Sequence, residues 1–161
     1  MTAQSSLFSG APQKWVVYAD GACKGNPGPA GWGAVVLGAD GEVAGRYKGF
    51  IGRATNQVAE LKAAIEGMSQ VPEGATVELV SDSQYTLKGL TEWRAGWERR
   101  GMRTAGGDPV ANLELWKTLY RVADARRIST RWVKGHAGDP YNEEADGLAN
   151  AAIAEARQNQ A

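Results

Sequence analysis

Cysteine and histidine each occur once in the 161 residues, as Cys23 and His136. A single Cys excludes an internal disulfide framework and any Cys-rich zinc site. A single His excludes every His-pair metal motif, H-E-x-x-H among them. A metal here would need carboxylates, which favours a hard ion such as Mg²⁺ or Mn²⁺. Net charge is also missing, because 18 Lys+Arg face 18 Asp+Glu. That balance removes the simplest argument for a nucleic-acid partner, a basic chain. No apolar run approaches the roughly 18 residues of a membrane span. Residues 1–13 lack the basic start and apolar stretch of a signal peptide, so the expected setting is a reducing cytoplasm. What is present, 43% hydrophobic and 22% charged residues, fits one globular domain with a full core.

Residues 1–13 (MTAQSSLFSGAPQ) read as a disordered tail, 14–157 as the folded domain and 158–161 as a short C-terminal tail. Trp15–Asp20 is a β-branched and aromatic run stopped by Gly21. Gly33–Leu37 and Glu42–Phe50 are strand candidates around the turn signal Ala39-Asp40-Gly41. Val58, Leu61, Ile65 and Met68 share one face of a helix over Asn56–Ser69, capped by Thr55 or Asn56. Thr76–Ser81 is a strand, and Gln84–Arg100 reads as two short helices broken near Gly89. Gly101–Pro109 is a loop, Ala111–Ala125 a helix and Ile128–Val133 a strand. Asn142–Arg157 is a closing helix capped by Asn142, with Glu143 and Glu144 in its first turn. The order β-β-β-α-β-α-α-β-α predicts an α/β fold, a mixed sheet with helices on its faces.

Neutrality hides a segregation of charge. Residues 88–136 hold eleven Lys/Arg against five Asp/Glu, whereas residues 1–87 net −2 and 137–161 net −4. The basic block also holds Trp93, Trp97, Trp116, Tyr120 and Trp132. Cations interleaved with flat rings suit a polyanion bearing bases or sugars; the same pattern describes a solvated helical face with Trp anchors in the core.

Asp20 and Asp82 each end a strand candidate, Glu60 lies near the buried face of the helix between them, and Asp146 follows Asn142. If the two strands are neighbours, the four acids can converge at one edge of the sheet. Such a cluster repels itself unless a divalent cation neutralises it. Two such ions about 4 Å apart can activate a water and stabilise the leaving oxygen of a phosphodiester. Singly, Asp20 and Asp82 also read as turn formers, Glu60 as a solvated helix residue and Asp146 as a dipole-stabilising acid. Gly25-Asn26-Pro27-Gly28 alone is a surface turn, and with no helix pattern after it, it is no dinucleotide fingerprint. His136 alone is a loop histidine, and Cys23 alone a small buried residue.

The string Tyr18-Ala19-Asp20-Gly21-Ala22-Cys23-Lys24-Gly25-Asn26-Pro27-Gly28-Pro29-Ala30-Gly31-Trp32-Gly33 resembles the opening motif of type 1 ribonuclease H. Thr55-Asn56-Gln57-Val58-Ala59-Glu60-Leu61, Ser81-Asp82-Ser83-Gln84-Tyr85, Trp132-Val133-Lys134-Gly135-His136-Ala137-Gly138 and Asn142-Glu143-Glu144-Ala145-Asp146 follow in the family's order. The resemblance covers roughly Trp15 to Ala156. It implies a ribonuclease H-like fold: an antiparallel three-strand meander plus two parallel strands, flanked by helices. It also implies a Mg²⁺- or Mn²⁺-dependent endonuclease, cutting the RNA strand of an RNA–DNA hybrid to 5′-phosphate and 3′-hydroxyl ends.

By position, Asp20 would bridge two metals, Glu60 and Asp82 would complete one site, and Asp146 the other. His136 would assist proton transfer or product release. Cys23 and Gly25 would lie near the RNA strand, with Asn26, Asn56 and Gln84 in the minor groove. Arg53, Thr55 and Asn112 match a pocket for a DNA-strand phosphate, and Trp93 and Trp97 a channel against the DNA sugars. Gly89–Asn112, with Arg94, Arg99, Arg100 and Arg103, resembles a basic handle, although Ala111 stands where relatives often carry Lys and Asp108 adds an acid. Trp132 is expected in the core. The 13-residue tail leaves no room for a separate hybrid-binding domain, and a monomer without obligate protein partner is the expectation. The competing readings are a catalytically silent hybrid-binding module and a DNA nuclease or resolvase of the same superfamily.

Overall fold

The computed structural model describes residues 13–135 and 139–159. Its elements are β1 (Trp15–Cys23), β2 (Gly28–Leu37), β3 (Val43–Ala54), α1 (Asn56–Met68), β4 (Thr76–Ser81), α2 (Gln84–Lys88), a π-helical turn (Gly89–Trp93), α3 (Arg94–Arg99), α4 (Leu113–Asp124), β5 (Arg127–Trp132) and α5 (Pro140–Asn159). The five strands lie in the order β3-β2-β1-β4-β5. β1 pairs antiparallel with β2, and β2 with β3; β1–β4 and β4–β5 are parallel. The expected meander-plus-parallel sheet is the one observed.

Strand alternation divides the core. Val17, Ala19, Val36, Val77 and Leu79 pack with Leu61, Ile65 and Met68 of α1 and with Trp116 and Leu119 of α4. Tyr18, Val35, Leu37 and Val80 pack with Ala145 of α5. Helix α5 lies close on the sheet because its contact residues are small, with Ala145 and Ala149 both fully buried. On the strand side, a Cβ at Gly33 would stand 2.2 Å from the Ala145 carbonyl oxygen and 2.8 Å from the Ala149 nitrogen.

Several expectations are corrected. β1 does not stop at Gly21; it pairs with β2 through Cys23↔Ala30, so Asp20 sits inside a strand rather than at its end. β2 begins at Gly28 and β3 runs to Ala54 because these two residues pair with each other. The predicted break at Gly89 is a continuous π-helical turn, where a Cβ would meet the Trp116 ring at 1.9 Å. Trp116 is the fully buried tryptophan, whereas Trp132, expected in the core, is 47% exposed on the edge strand β5. Helix α5 starts at Pro140, not Asn142: Asp139 Oδ1 accepts from the Tyr141 and Asn142 N–H groups at 3.1 and 3.2 Å. Asn142 is therefore buried in the first turn, and its Oδ1 has no hydrogen-bond partner among the described residues. Thr55, not Asn56, caps α1, its Oγ1 accepting from the Val58 N–H at 3.2 Å. Helix α4 starts at Leu113, after Asn112 in the left-handed region at φ 60°.

Gly33→Ala tests the helix–sheet approach. Forcing backbone away from backbone should cost roughly 2–3 kcal/mol, and thermal unfolding should show a Tm about 5–10 °C lower.

Candidate active site

Asp20 lies on β1 at 4% exposure, in register with Gly33, under the close approach of α5. Asp146, in the second turn of that helix, comes close enough to share a carboxyl–carboxylate hydrogen bond with Asp20. Glu60 reaches the same point from α1. Gly21 makes that possible, because a Cβ there would lie 2.5 Å from the Ala59 carbonyl carbon and 2.6 Å from the Glu60 nitrogen. In its place, the Gly21 N–H donates to Glu60 Oε1 at 3.0 Å. Asp82 follows the last residue of β4, which neighbours β1. The turn after it is fixed by Ser81 Oγ accepting from the Ser83 N–H (3.0 Å) and by Ser83 Oγ capping α2 through the Thr86 N–H (3.1 Å).

Asp20, Glu60 and Asp82 each offer a carboxylate oxygen, and the three oxygens lie within 4.8 Å of one another. Asp146 stands outside that trio and meets it through Asp20. Burial, then the charges of Glu60, Asp82 and Asp146, push Asp20 up to about 10. Burial, then Asp82 and Asp146, push Glu60 up to about 8, against the lowering effect of the Gly21 N–H. An all-oxygen donor set whose members repel one another fits a hard divalent cation, which removes the repulsion.

Around the acids, Cys23 ties the end of β1 to the end of β3, its thiol donating to the Ala54 carbonyl at 3.1 Å. Gly25 is exposed at φ 91°. Asn26 Oδ1 accepts from the Asn56 N–H at 3.0 Å, which ties this turn to the start of α1. Both Asn side chains are exposed, as is Gln84 at the start of α2. Arg53 is exposed near the end of β3, two residues before the Thr55 cap. Asn112 Nδ2 donates to the Tyr85 hydroxyl at 3.1 Å. His136 lies outside the described residues. A ladder of rings runs from buried Trp116 to Trp97 (centroids 5.3 Å apart) and on to Trp93 (5.6 Å), which is 36% exposed.

A match to the RNase H family model spans residues 12–154. The chain belongs to the RNase H family. It is 49% identical over 140 residues to ribonuclease H of Hahella chejuensis, spanning 87% of this chain and 93% of the relative. It is 47% identical over 145 residues to ribonuclease HI of Caulobacter vibrioides, spanning 89% and 95%. LC11-RNase H1, solved in complex with an RNA/DNA hybrid, superposes with a TM-score of 0.69 at 25% identity over 89% of this chain and 99% of that one.

In this RNase H chain the handle's cations divide into two groups. Arg94 is spent on structure: two 2.7 Å bonds to Asp124, one to Glu98 at 3.0 Å, and its guanidinium over the Tyr120 ring. Arg99, Arg100 and Arg103 are exposed, and none is in an ion pair among the described residues. Arg100 and Arg103 are oriented by carbonyls, of Arg103 (3.0 Å) and Gly107 (2.9 Å). Trp132 is the neighbour of the acids that sequence reasoning placed elsewhere: its Nε1–H donates to the Asp82 carbonyl at 3.1 Å. The signal was its place as the last residue of a parallel strand, beside the strand end that precedes Asp82.

Raised carboxyl pKa values mean that the folded chain binds more protons than the unfolded one. Its metal-free stability should therefore fall as pH rises from about 4 toward 8. Tm measured in EDTA should be lower at pH 8 than at pH 5.5. Either Mg²⁺ or Asp20→Asn should raise it at pH 8 by about 4–8 °C, or ~2 kcal/mol.

Proposed function

We propose that this chain is an endonuclease that hydrolyses the RNA strand of RNA–DNA hybrids, leaving 5′-phosphate and 3′-hydroxyl ends. The convergence of Asp20, Glu60 and Asp82, with Asp146 against Asp20, carries the reading. Among the described residues this constellation is an all-carboxylate one, suited to Mg²⁺ with Mn²⁺ as substitute. We assign Asp20, Glu60 and Asp82 to one ion and Asp20 with Asp146 to a second. When bound, such a pair supplies an activated water and neutralises charge on the scissile phosphate.

The chain's own groups do the remaining work. The Gly21 N–H holds one oxygen of Glu60 in place, so its carboxylate is preorganised both for a cation and for a 2′-hydroxyl of the substrate. Asn26, Asn56 and Gln84 present amide groups to the wide minor groove, where 2′-hydroxyls distinguish RNA from DNA. Cys23 and Gly25 shape the turn that approaches the RNA strand. Arg53, Thr55 and Asn112 hold a DNA-strand phosphate. There Thr55 has already committed its hydroxyl as acceptor to Val58 and so contributes it as a donor. Trp93 and Trp97 meet the DNA sugars, and Arg99, Arg100 and Arg103 the phosphates beyond them. His136 moves a proton or helps release product. The complex LC11-RNase H1 makes with a hybrid supports this choice of substrate. The enzyme is proposed to act in the cytoplasm as a monomer without an obligate protein partner. Among the described residues no helix is long and apolar enough to cross a membrane.

Labelled hybrid, double-stranded RNA and duplex DNA, each with and without Mg²⁺, provide the test. Only the hybrid should be cut, on its RNA strand and only with the ion. Asp20→Asn should abolish turnover, and His136→Ala should slow it by roughly 10²–10⁴-fold. Cleavage of duplex DNA with the hybrid intact would favour a DNA nuclease, and metal-independent binding without cleavage a silent module. In a separate measurement, neutralising Arg99, Arg100 and Arg103 together should raise KM and flatten its dependence on salt.

A further inference from the structure

A groove of about 240 Å³ opens at Gln84, and apart from that residue its lining has no part in the chemistry assigned above. It runs from Gln84 along Leu87, Lys88, Thr91 and Glu92, and its opposite wall is Thr130 and Trp132 of β5. Trp132 is the most exposed of the large hydrophobic side chains described, at 47%. Its ring is held at one edge, because Nε1–H donates to the carbonyl of Asp82. The groove thus begins at a residue proposed to touch the hybrid and is bounded by a ring anchored to one of the acids.

We infer that this groove binds one unpaired nucleotide of the RNA strand adjoining the cut, its base stacked on Trp132. The inference rests on the proposed hybrid-cleaving activity. Within a duplex both faces of every base are covered by neighbours, so an exposed indole can stack only on a base out of the helix or at a strand end. The rest of the lining matches such a nucleotide. Lys88 supplies a cation for its phosphate, the Glu92 carboxylate accepts from an exocyclic amine, and Thr91 and Thr130 offer hydroxyls to a base edge or a ribose. Glu92 repels phosphate, so the phosphate would go to Lys88 while the base stacks on Trp132. The ring's bond to the Asp82 carbonyl keeps it beside the acids, and so beside the strand the acids are proposed to cut.

The experiment compares KM for a blunt hybrid with KM for hybrids carrying a single-stranded extension on the RNA strand, at either end, or on the DNA strand. An RNA extension of one polarity should lower KM by roughly 5–150-fold, the range for one base stacked on one ring. Trp132→Ala should erase that ratio and Trp132→Phe, which keeps a stacking face, should retain most of it. The ratio is the readout because both variants also lose the bond to the Asp82 carbonyl. As a second measurement, Trp fluorescence of Asp20→Asn should be quenched by a single-stranded oligoribonucleotide, and much less so in Asp20→Asn/Trp132→Phe. No preference for either RNA extension, equal preference for a DNA extension, or a ratio that survives Trp132→Ala would each overturn the inference. Failure to cut even the blunt hybrid would instead overturn the activity on which it rests.

Discussion

Carboxylates crowded together at a largely buried point are the central constraint of this fold. Asp20 and Glu60 are both buried; the charge of Glu60 raises the cost of ionising Asp20, and those of Asp82 and Asp146 raise it for both. A flexible scaffold would relax by moving them apart. This one cannot, because two backbone approaches leave no slack. Helix α1 rests on β1 at Gly21, and α5 rests on β2 at Gly33, each at a distance that excludes even a methyl group. The two contacts lie on adjoining strands at neighbouring registers, since Asp20 pairs with Gly33 and Gly21 with Trp32. Close packing of helix on sheet, driven by the apolar clusters behind it, therefore sets the spacing of the acids.

Such a site stores electrostatic free energy in the metal-free protein and releases it when a cation arrives. The ion need not organise the ligands; they are already placed, and binding chiefly removes repulsion. Preorganisation of this kind keeps the reorganisation cost of each catalytic cycle small. It also explains why the Gly21 N–H bond to Glu60 matters beyond its own strength. It is the influence that lowers the Glu60 pKa, opposing the upward push of burial and of the neighbouring acids.

Taken singly, each acid had an ordinary reading in the sequence; they were legible as a group because each belongs to a short motif that resembles the type 1 ribonuclease H family. Their surroundings were less so. Reading Gly21 as the end of β1 followed local propensity, but tertiary packing makes glycine the residue that lets a strand continue beneath a helix. The same holds at Gly89, where a local rule says break and the ring of Trp116 asks for space. Trp132 went wrong for a different reason. Hydrophobicity predicts burial only on average, and β5 is an edge strand whose last residue has no further strand to cover it. The helix cap at Asp139 was hidden because Asn142 is an equally good capping residue by type, and only geometry chooses between them.

Net neutrality takes its meaning from where the charges end up. Arg94, counted among the handle's cations, is bound to Asp124 and Glu98 and braces α3 against α4. Within the handle, the exposed cations in no ion pair among the described residues are Arg99, Arg100 and Arg103. A polyanion drawn to those arginines alone would gain only salt-sensitive, sequence-blind affinity. On the proposed function, to be cut it must also reach the carboxylates of Asp20, Glu60 and Asp82. On that proposal, separating the binding charge from the catalytic charge would let a chain of zero net charge engage a polyanion without holding every nucleic acid it meets.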